Sequence, residues 1–274
     1  MRLSMVEITK KYKIGSRRFG LINWIGAWTL YKKEVLRFLI VWIQTIFSPL
    51  ISSLLFLLVL SLAIGADRGD VLGVPFITFL APGLISMQVI QQSFSHSSSS
   101  FMIGKIQGNI VDLLYAPLSA TEVTISVALA AVTRSVVIAI VSIIVFKLII
   151  DIDIKNYLLL IVFTLLSSFI LGNIGIIAGL WAEKFDHMAT VTNFVIVPLS
   201  FLSGTFYSIE RLPEVLQIIS KANPFFYMID GFRYSFIGKA DGSIFIGLVY
   251  LSVLSFVSWF VTYLLYKKGY KIKS

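Results

Sequence analysis

The sequence predicts an all-α polytopic membrane protein. It reads as six transmembrane helices, an interfacial amphipathic helix before them, and an external, re-entrant-like helical hairpin before the last span. Three observations carry this. Of 274 residues, 57% are hydrophobic and only 14% charged, against about 25% charged in soluble domains. Several apolar runs approach or exceed the roughly 20 residues a helix needs to cross a bilayer. The 23 basic residues cluster at the ends, nine before the first long apolar run and four in the last eight residues. The net charge of +9 therefore reads as anchors facing anionic lipid rather than as a nucleic-acid surface. We expect one domain over 1–274, with an N-terminal segment 1–37, a bundle 38–266 and a tail 267–274.

Taken in order, Trp24, Trp28, Tyr31, Val35 and Phe38 recur at helical spacing while Lys33, Glu34 and Arg37 project elsewhere, as in a helix lying in the interface plane. Span one is expected from Phe38 to Ile64, with Pro49 tolerated inside it. Span two begins near Val74 and turns polar through Gln88, Gln91, Gln92 and the Ser-rich run Ser93–Phe101. Span three covers Val123–Ile150, span four Tyr157–Trp181, span five Met188–Phe206 and span six Ile244–Tyr266. No small-residue cleavage site follows the basic N-terminus, so no cleaved signal peptide is expected.

Six spans place both termini on one side. The segments assigned to that side hold 15 Lys and Arg, against six in the other loops. The positive-inside rule then makes the termini cytoplasmic. Ser203–Arg233 is correspondingly external. Pro213 and Glu214 suit the first turn of a helix, and Leu212, Val215, Leu216 and Ile219 give it one apolar stripe. Asn223-Pro224 breaks the pattern. Phe225, Ile229, Phe232 and Phe236 then form the stripe of a second short helix ending near Gly238. Asp230 and Arg233, three apart, could pair on its polar side.

Polar groups inside the spans form a second set of candidates. Arg134 falls near mid-depth in span three, where a charge costs ~2.5 kcal/mol or more unless paired or hydrated. No in-span carboxylate is an obvious partner, which leaves water or backbone carbonyls; a pathway contact and a buried structural contact are equally open. Gln88, Gln91 and Gln92 suit interhelical hydrogen bonding or emergence into water. Gly172, Gly175 and Gly179 permit close packing within the bundle. His96 and His187 show no ligand spacing, and there is no cysteine. No metal site or disulfide framework is expected.

FLSGTFYSIERLP (Phe201–Pro213) and NPFFYMIDGFRYSFIG (Asn223–Gly238) resemble the segment before the last span in ABC-2 type transporter permeases, and the likeness is greatest to the YadH-like group of small bacterial permeases. The resemblance covers nearly the whole chain and singles out Gly204, Tyr207, Pro213, Asn223, Pro224, Tyr227, Asp230, Gly231 and Arg233 in the hairpin. A second matching segment, KIQGNIVDLLYAPLSATEV (Lys105–Val123), corresponds to the cytoplasmic stretch that contains the coupling helix. It assigns ATPase coupling to Lys105, Gly108, Asn109, Asp112, Leu113, Leu114 and Pro117. The residues themselves agree on a short helix with Ile106, Ile110, Leu113 and Leu114 on one face, stopped by Pro117. Ser119 or Thr121 is placed to cap the next helix, with Glu122 in its first turn.

The resemblance implies an exporter permease in a bacterial inner membrane, working as a homodimer with two copies of a cytoplasmic ATP-binding subunit that holds the ATP and magnesium. Its cargo would be an amphiphile: a drug, a lipid or a lipid-linked glycan. The chain itself has no G-x-x-x-x-G-K-[ST] stretch, since Gly104-Lys105 and Gly238-Lys239 lack the spacing and the hydroxyl residue. No catalytic residue or cofactor is expected in it. A membrane-embedded enzyme acting on lipids or glycans would need clustered acid/base or metal residues at one depth. A non-transporting scaffold would need no ATPase partner.

Overall fold

A computed structural model describes residues 22–63, 69–150 and 152–272. The basic residues before Trp24, the tip of the first loop around Arg68, the end of expected span one at Ile64, and Lys273 lie outside these. Among the described residues there is no strand, only an isolated bridge between Val71 and Val74. The helices are α1 (Trp24–Ile40), α2 (Ser48–Ala63), α3 (Phe76–Ile106), α4 (Ile110–Tyr115), α5 (Ala120–Ile149) and α6 (Tyr157–Trp181). They continue as α7 (Phe185–Val191), α8 (Val197–Leu202), α9 (Glu214–Ala222), α10 (Pro224–Ile237) and α11 (Ile244–Lys267). π-helical turns at Ile43–Phe47 and Thr192–Ile196 lead into α2 and α8.

Among the described residues, five helical stretches are long and apolar enough to cross a membrane: Ile43–Ala63, Ala120–Ile149, Tyr157–Trp181, Phe185–Leu202 and Ile244–Lys267. The expected second span corresponds to α3. At 31 residues it extends about 46 Å, ample length, but its amides and serines keep it out of the apolar set. It sits instead at the centre of the bundle, packed along α6 and α5. Gly175 and Gly179 permit that closeness. A Cβ on Gly175 would stand 2.5 Å from the Phe94 carbonyl oxygen, and one on Gly179 2.8 Å from that of Ser98. Gly172 makes a looser approach to α5, where a Cβ would stand 3.2 Å from the Ala131 methyl.

Two expectations about the first turns of chain are corrected. Span one does not begin at Phe38, because α1 runs on to Ile40 and the spanning stretch starts at Ile43. The two residue sets on α1 also do not separate fully, since Glu34 of the charged set is buried beside Phe38 of the aromatic one. Leu30, Glu34 and Phe38 form its buried side, whereas Trp24 and Trp28 are exposed. The carboxylate tolerates burial because Arg37 donates to it at 3.0 Å and His96 Nε2 stands 3.8 Å away. Exposed indoles suit a headgroup layer.

Three apolar clusters order the bundle from end to end. One joins Leu30 of α1, Phe101, Ile110, Val123, Leu180, Tyr266 and Ile272, so the described beginning and end of the chain share one end with α4. The central cluster holds Ile90, Phe163, Ile196, Ile229 and Leu251. At the other end Val71, Phe79, Ile150, Ile152 and Phe236 come together. The α9–α10 hairpin stands at this second end, and Gly238, at φ 74°, terminates α10 in a left-handed cap.

Candidate functional site

Between α3 and α5 the chain makes a compact projection. Gly108, at φ 75°, turns it out of α3, a conformation that costs glycine nothing. Six residues of α4 follow, ending at Tyr115 because Ala116, before Pro117, is extended at ψ 141°. Ser119 then opens α5 with a full capping box: its hydroxyl accepts from Glu122 N at 3.3 Å, and Glu122 Oε2 accepts from Ser119 N at 2.7 Å.

The apolar face expected here divides. Ile110 is buried and Leu113 half-buried against the bundle, while Ile106 and Leu114 are exposed. Val111 and Tyr115, neither of them singled out by the sequence reading, complete the outer face, and Tyr115 is 85% exposed. Asn109 and Asp112 are also exposed. Lys105 points the other way: its Nζ donates to Leu180 O at 2.7 Å and to Ala182 O, capping the C-terminal end of α6. Pro117 accepts from Asn23 Nδ2 at 2.9 Å, and Asn23 N donates to Glu122 Oε1 at 2.5 Å. Asn23 also caps α1, so one side chain ties the interfacial helix to the projecting segment. The sequence signal for this is an Asn before Trp24, which by itself reads only as an interruption in an apolar stretch.

Arg134 is 7% exposed and does find a side-chain partner: its Nη2 donates to Gln92 Oε1. Both line a cleft of about 840 Å³, together with Gln88, Gln91 and residues of α1 and α2. Nearby, Ser93 and Ser135 share a hydrogen bond at 2.5 Å that ties α3 to α5.

In the hairpin, the expected Asp230–Arg233 pair does not form; no ion pair among the described residues joins them. Each instead holds a different loop. Arg233, 1% exposed, donates through Nη2 to Gly204 O at 2.7 Å and Thr205 O at 3.2 Å, with its guanidinium 3.9 Å from the Phe79 ring centroid. Gly204 makes the turn at φ 77°. Asp230, 2% exposed, accepts from Asp241 N at 3.0 Å and Gly242 N at 2.9 Å. The Asp241 carboxylate in turn accepts from Ser208 Oγ at 2.6 Å and Ile209 N at 3.1 Å. Burial pushes the Asp230 carboxyl up to about 6, against the opposing pull of the two backbone donors and Arg233. Burial likewise lowers Arg233 to about 10.

Asn223 joins the two short helices. Its Oδ1 accepts from Phe225 N at 3.1 Å, and its Nδ2 donates to Leu199 O at 3.0 Å and Ser203 Oγ at 2.8 Å. Pro224 occupies the first helical position of α10. A Cβ on Gly231 would lie 2.2 Å from the Phe163 ring, so that glycine is an approach point for α6. Tyr227 packs edge-on to Phe226 and Tyr250; Tyr207 is half-buried and Pro213 exposed. Among the described residues nothing covers the stripe on α9, where Val215, Leu216 and Ile219 are all exposed.

Residues 26–237 match the model of the family described as "ABC-2 type transporter". The inner membrane transport permease YadH of Escherichia coli K12 is 32% identical over 220 residues, which is 80% of this chain and 86% of that protein. Nodulation protein J of Neorhizobium galegae is 22% identical over 251 residues, covering 91% and 94% of the two chains. Its counterpart from Rhizobium leguminosarum bv. viciae is 23% identical over 250 residues, covering 89% and 93%.

Proposed function

The chain belongs to the ABC-2 type transporter family, and from that premise we infer that it is the permease subunit of an ATP-driven exporter in a bacterial inner membrane. It works as a homodimer with two copies of a separate ATP-binding subunit, which supplies ATP and magnesium. Each copy crosses the bilayer six times, α3 being the polar inner crossing, with both termini cytoplasmic. The cargo is an amphiphile, a drug, a lipid or a lipid-linked glycan, and the chain performs no covalent chemistry.

The observation that carries this reading is the α4 projection. A six-residue helix that leaves Val111, Leu114 and Tyr115 in the open has the form of a docking knob, since aromatic anchors at the centre of an interface carry most of its energy. It rests rigidly on the bundle through Ile110 and Pro117, so a push on it reaches α1, α3 and α5 together. The exposed sides of Ile43–Ala63 and Phe185–Leu202, the latter only 11% buried, suit a seam with a second copy or with lipid. The hairpin, fixed by Asp230 and Arg233, forms a rigid cap beside the exit.

The test is ATP hydrolysis by the chain purified in lipid with the ATPase encoded beside it. We expect hydrolysis by the complex that falls when Asn109–Leu114 is replaced by a Gly/Ser linker. Failure to form any complex would support a scaffold instead.

A further inference from the structure

We propose that the cleft between the α1–α2 bend and α3 binds an oxyanion carried on an amphiphile, a phosphate or carboxylate headgroup, with Arg134 as its principal contact. This rests on the permease reading and gives one chemical property of the cargo. The space of about 840 Å³ lies open between the α1–α2 bend, α3 and α5. Amides and hydroxyls supply much of its wall, Gln44, Ser48 and Ser52 on one side and Gln91 and Ser95 on the other, with Arg37 at its edge and Phe38, Val41, Pro49 and Ile103 as apolar patches. The first three are exposed; Ser52 meets its own need by donating to Ser48 O at 3.0 Å, whereas bare hydrocarbon would penalise the open amide of Gln44.

Arg134 supplies the sign of the charge. A guanidinium has five donors, and among the described residues only Nη2 is used, on a neutral amide. Its Nε is buried without a partner, as is Gln88 Oε1. The acidic group on this side, Glu34, is already bound to Arg37 at 3.0 Å and stands 3.8 Å from His96 Nε2. Arg37 spends its remaining nitrogens on His96 O at 2.8 Å and Ser99 Oγ at 3.2 Å. Arg37 and Glu34 therefore neutralise one another, and Arg134 is left cationic at depth. Charges in such places are paired in working membrane proteins, and the planar fork of arginine fits two oxygens of one carboxylate or phosphate.

The tail has a place as well. A groove of about 600 Å³ shares Val41, Gln44, Ser48 and Ser52 with the cleft and is otherwise lined by Ile40, Trp42, Ile43, Phe47 and Ile51. A polar chamber opening onto an apolar groove is the shape of one amphiphile, headgroup inside and chain outside.

Thermal unfolding of the full chain in a neutral maltoside detergent tests this, titrated with dodecyl phosphate, dodecyltrimethylammonium or inorganic phosphate. We expect a saturable upward shift with dodecyl phosphate and none with dodecyltrimethylammonium. Arg134→Gln should weaken half-saturation by about tenfold or more, the worth of a charge-assisted hydrogen bond. Ser52→Phe, at an exposed position, fills the cleft while keeping Arg134 and should do the same, which covers the case of an unfolded Arg134→Gln. Equal shifts from the cation or from inorganic phosphate, or unchanged curves in a folded variant, overturn the proposal. Repetition in phosphatidylcholine nanodiscs with and without phosphatidylglycerol identifies the source. Abolition of the shift by phosphatidylglycerol supports the site and names membrane phospholipid as its occupant, whereas persistence supports it and names a separate cargo. No ATPase takes part, so failure of ATPase docking would remove the permease reading and leave these curves untouched.

Discussion

Replacing Arg233 by Met separates a buried clamp from a cargo contact. Met has a similar reach and no charge, so it strips the two hydrogen bonds to Gly204 O and Thr205 O and the stacking on Phe79. Two buried carbonyls left without donors cost about 1–3 kcal/mol each, and the lost cation–π contact up to about 2 kcal/mol. Against this, the wild-type protein bears the burial of a guanidinium whose pKa is lowered to about 10 by that burial. At 1.36 kcal/mol per unit, relief of that burial returns roughly 3 kcal/mol. The balance is a destabilisation of roughly 2 kcal/mol, or about 5 °C in midpoint for a chain of this size. The assay is thermal unfolding in detergent, together with maleimide labelling of Thr205→Cys, which is specific because the chain has no cysteine. Thr205 is 0% exposed, so labelling should be slow in the parent and faster once the turn loses its clamp. An Arg233→Met protein with an unchanged midpoint, and with the introduced thiol still protected, would refute the reasoning and return Arg233 to the candidates for cargo contact.

Tyr115→Ala should leave the unfolding midpoint within the range of neutral surface changes, about 0.5 kcal/mol. It should also weaken ATPase association about 30-fold, as loss of an aromatic hot spot does; a pull-down titration reads it. Gly175→Ala combined with Gly179→Ala forces α3 and α6 apart, because each new methyl meets backbone at 2.5 and 2.8 Å. We expect a lower midpoint by about 1–3 kcal/mol despite the better helix propensity of alanine, measured by the same unfolding assay. For Asp230 the folded value of about 6 lies above the ordinary 3.8. Its contribution is thus fully present below pH 3.8 and lost as pH rises through 6. Relative to Asp230→Asn, the wild type should lose up to about 3 kcal/mol between about pH 4 and pH 7, and a difference flat in pH would contradict the buried-carboxyl account.

Local signals are legible in the sequence, and distant pairings are not. Pro213, Asn223-Pro224 and Gly238 bracket α9 and α10 because each acts on its own backbone. The Ser119–Glu122 capping box is readable for the same reason. The burial of Glu34 on α1 escapes a local reading because it depends on His96, in another helix, and on Arg37, which is itself held by Ser99 of that helix. The partner of Arg134 is hidden for the same reason: Gln92 lies in α3, and an amide is an unremarked companion for a charge. Asp230 and Arg233 satisfy the spacing rule for a pair on a solvated helix. Burial changes that rule: enclosed charges go to whichever backbone groups would otherwise be left unpaired, here the turn at Gly204 and the loop at Gly242.

The central claim is that this chain is driven by a separate ATPase seated on α4. Flotation of that ATPase with vesicles tests it most directly. Vesicles containing the wild-type chain should carry the ATPase upward in the gradient, and vesicles containing the Asn109–Leu114 replacement, or none of the chain, should leave it at the bottom. ATPase that stays at the bottom with wild-type vesicles, or that floats equally with the replacement, would contradict the account.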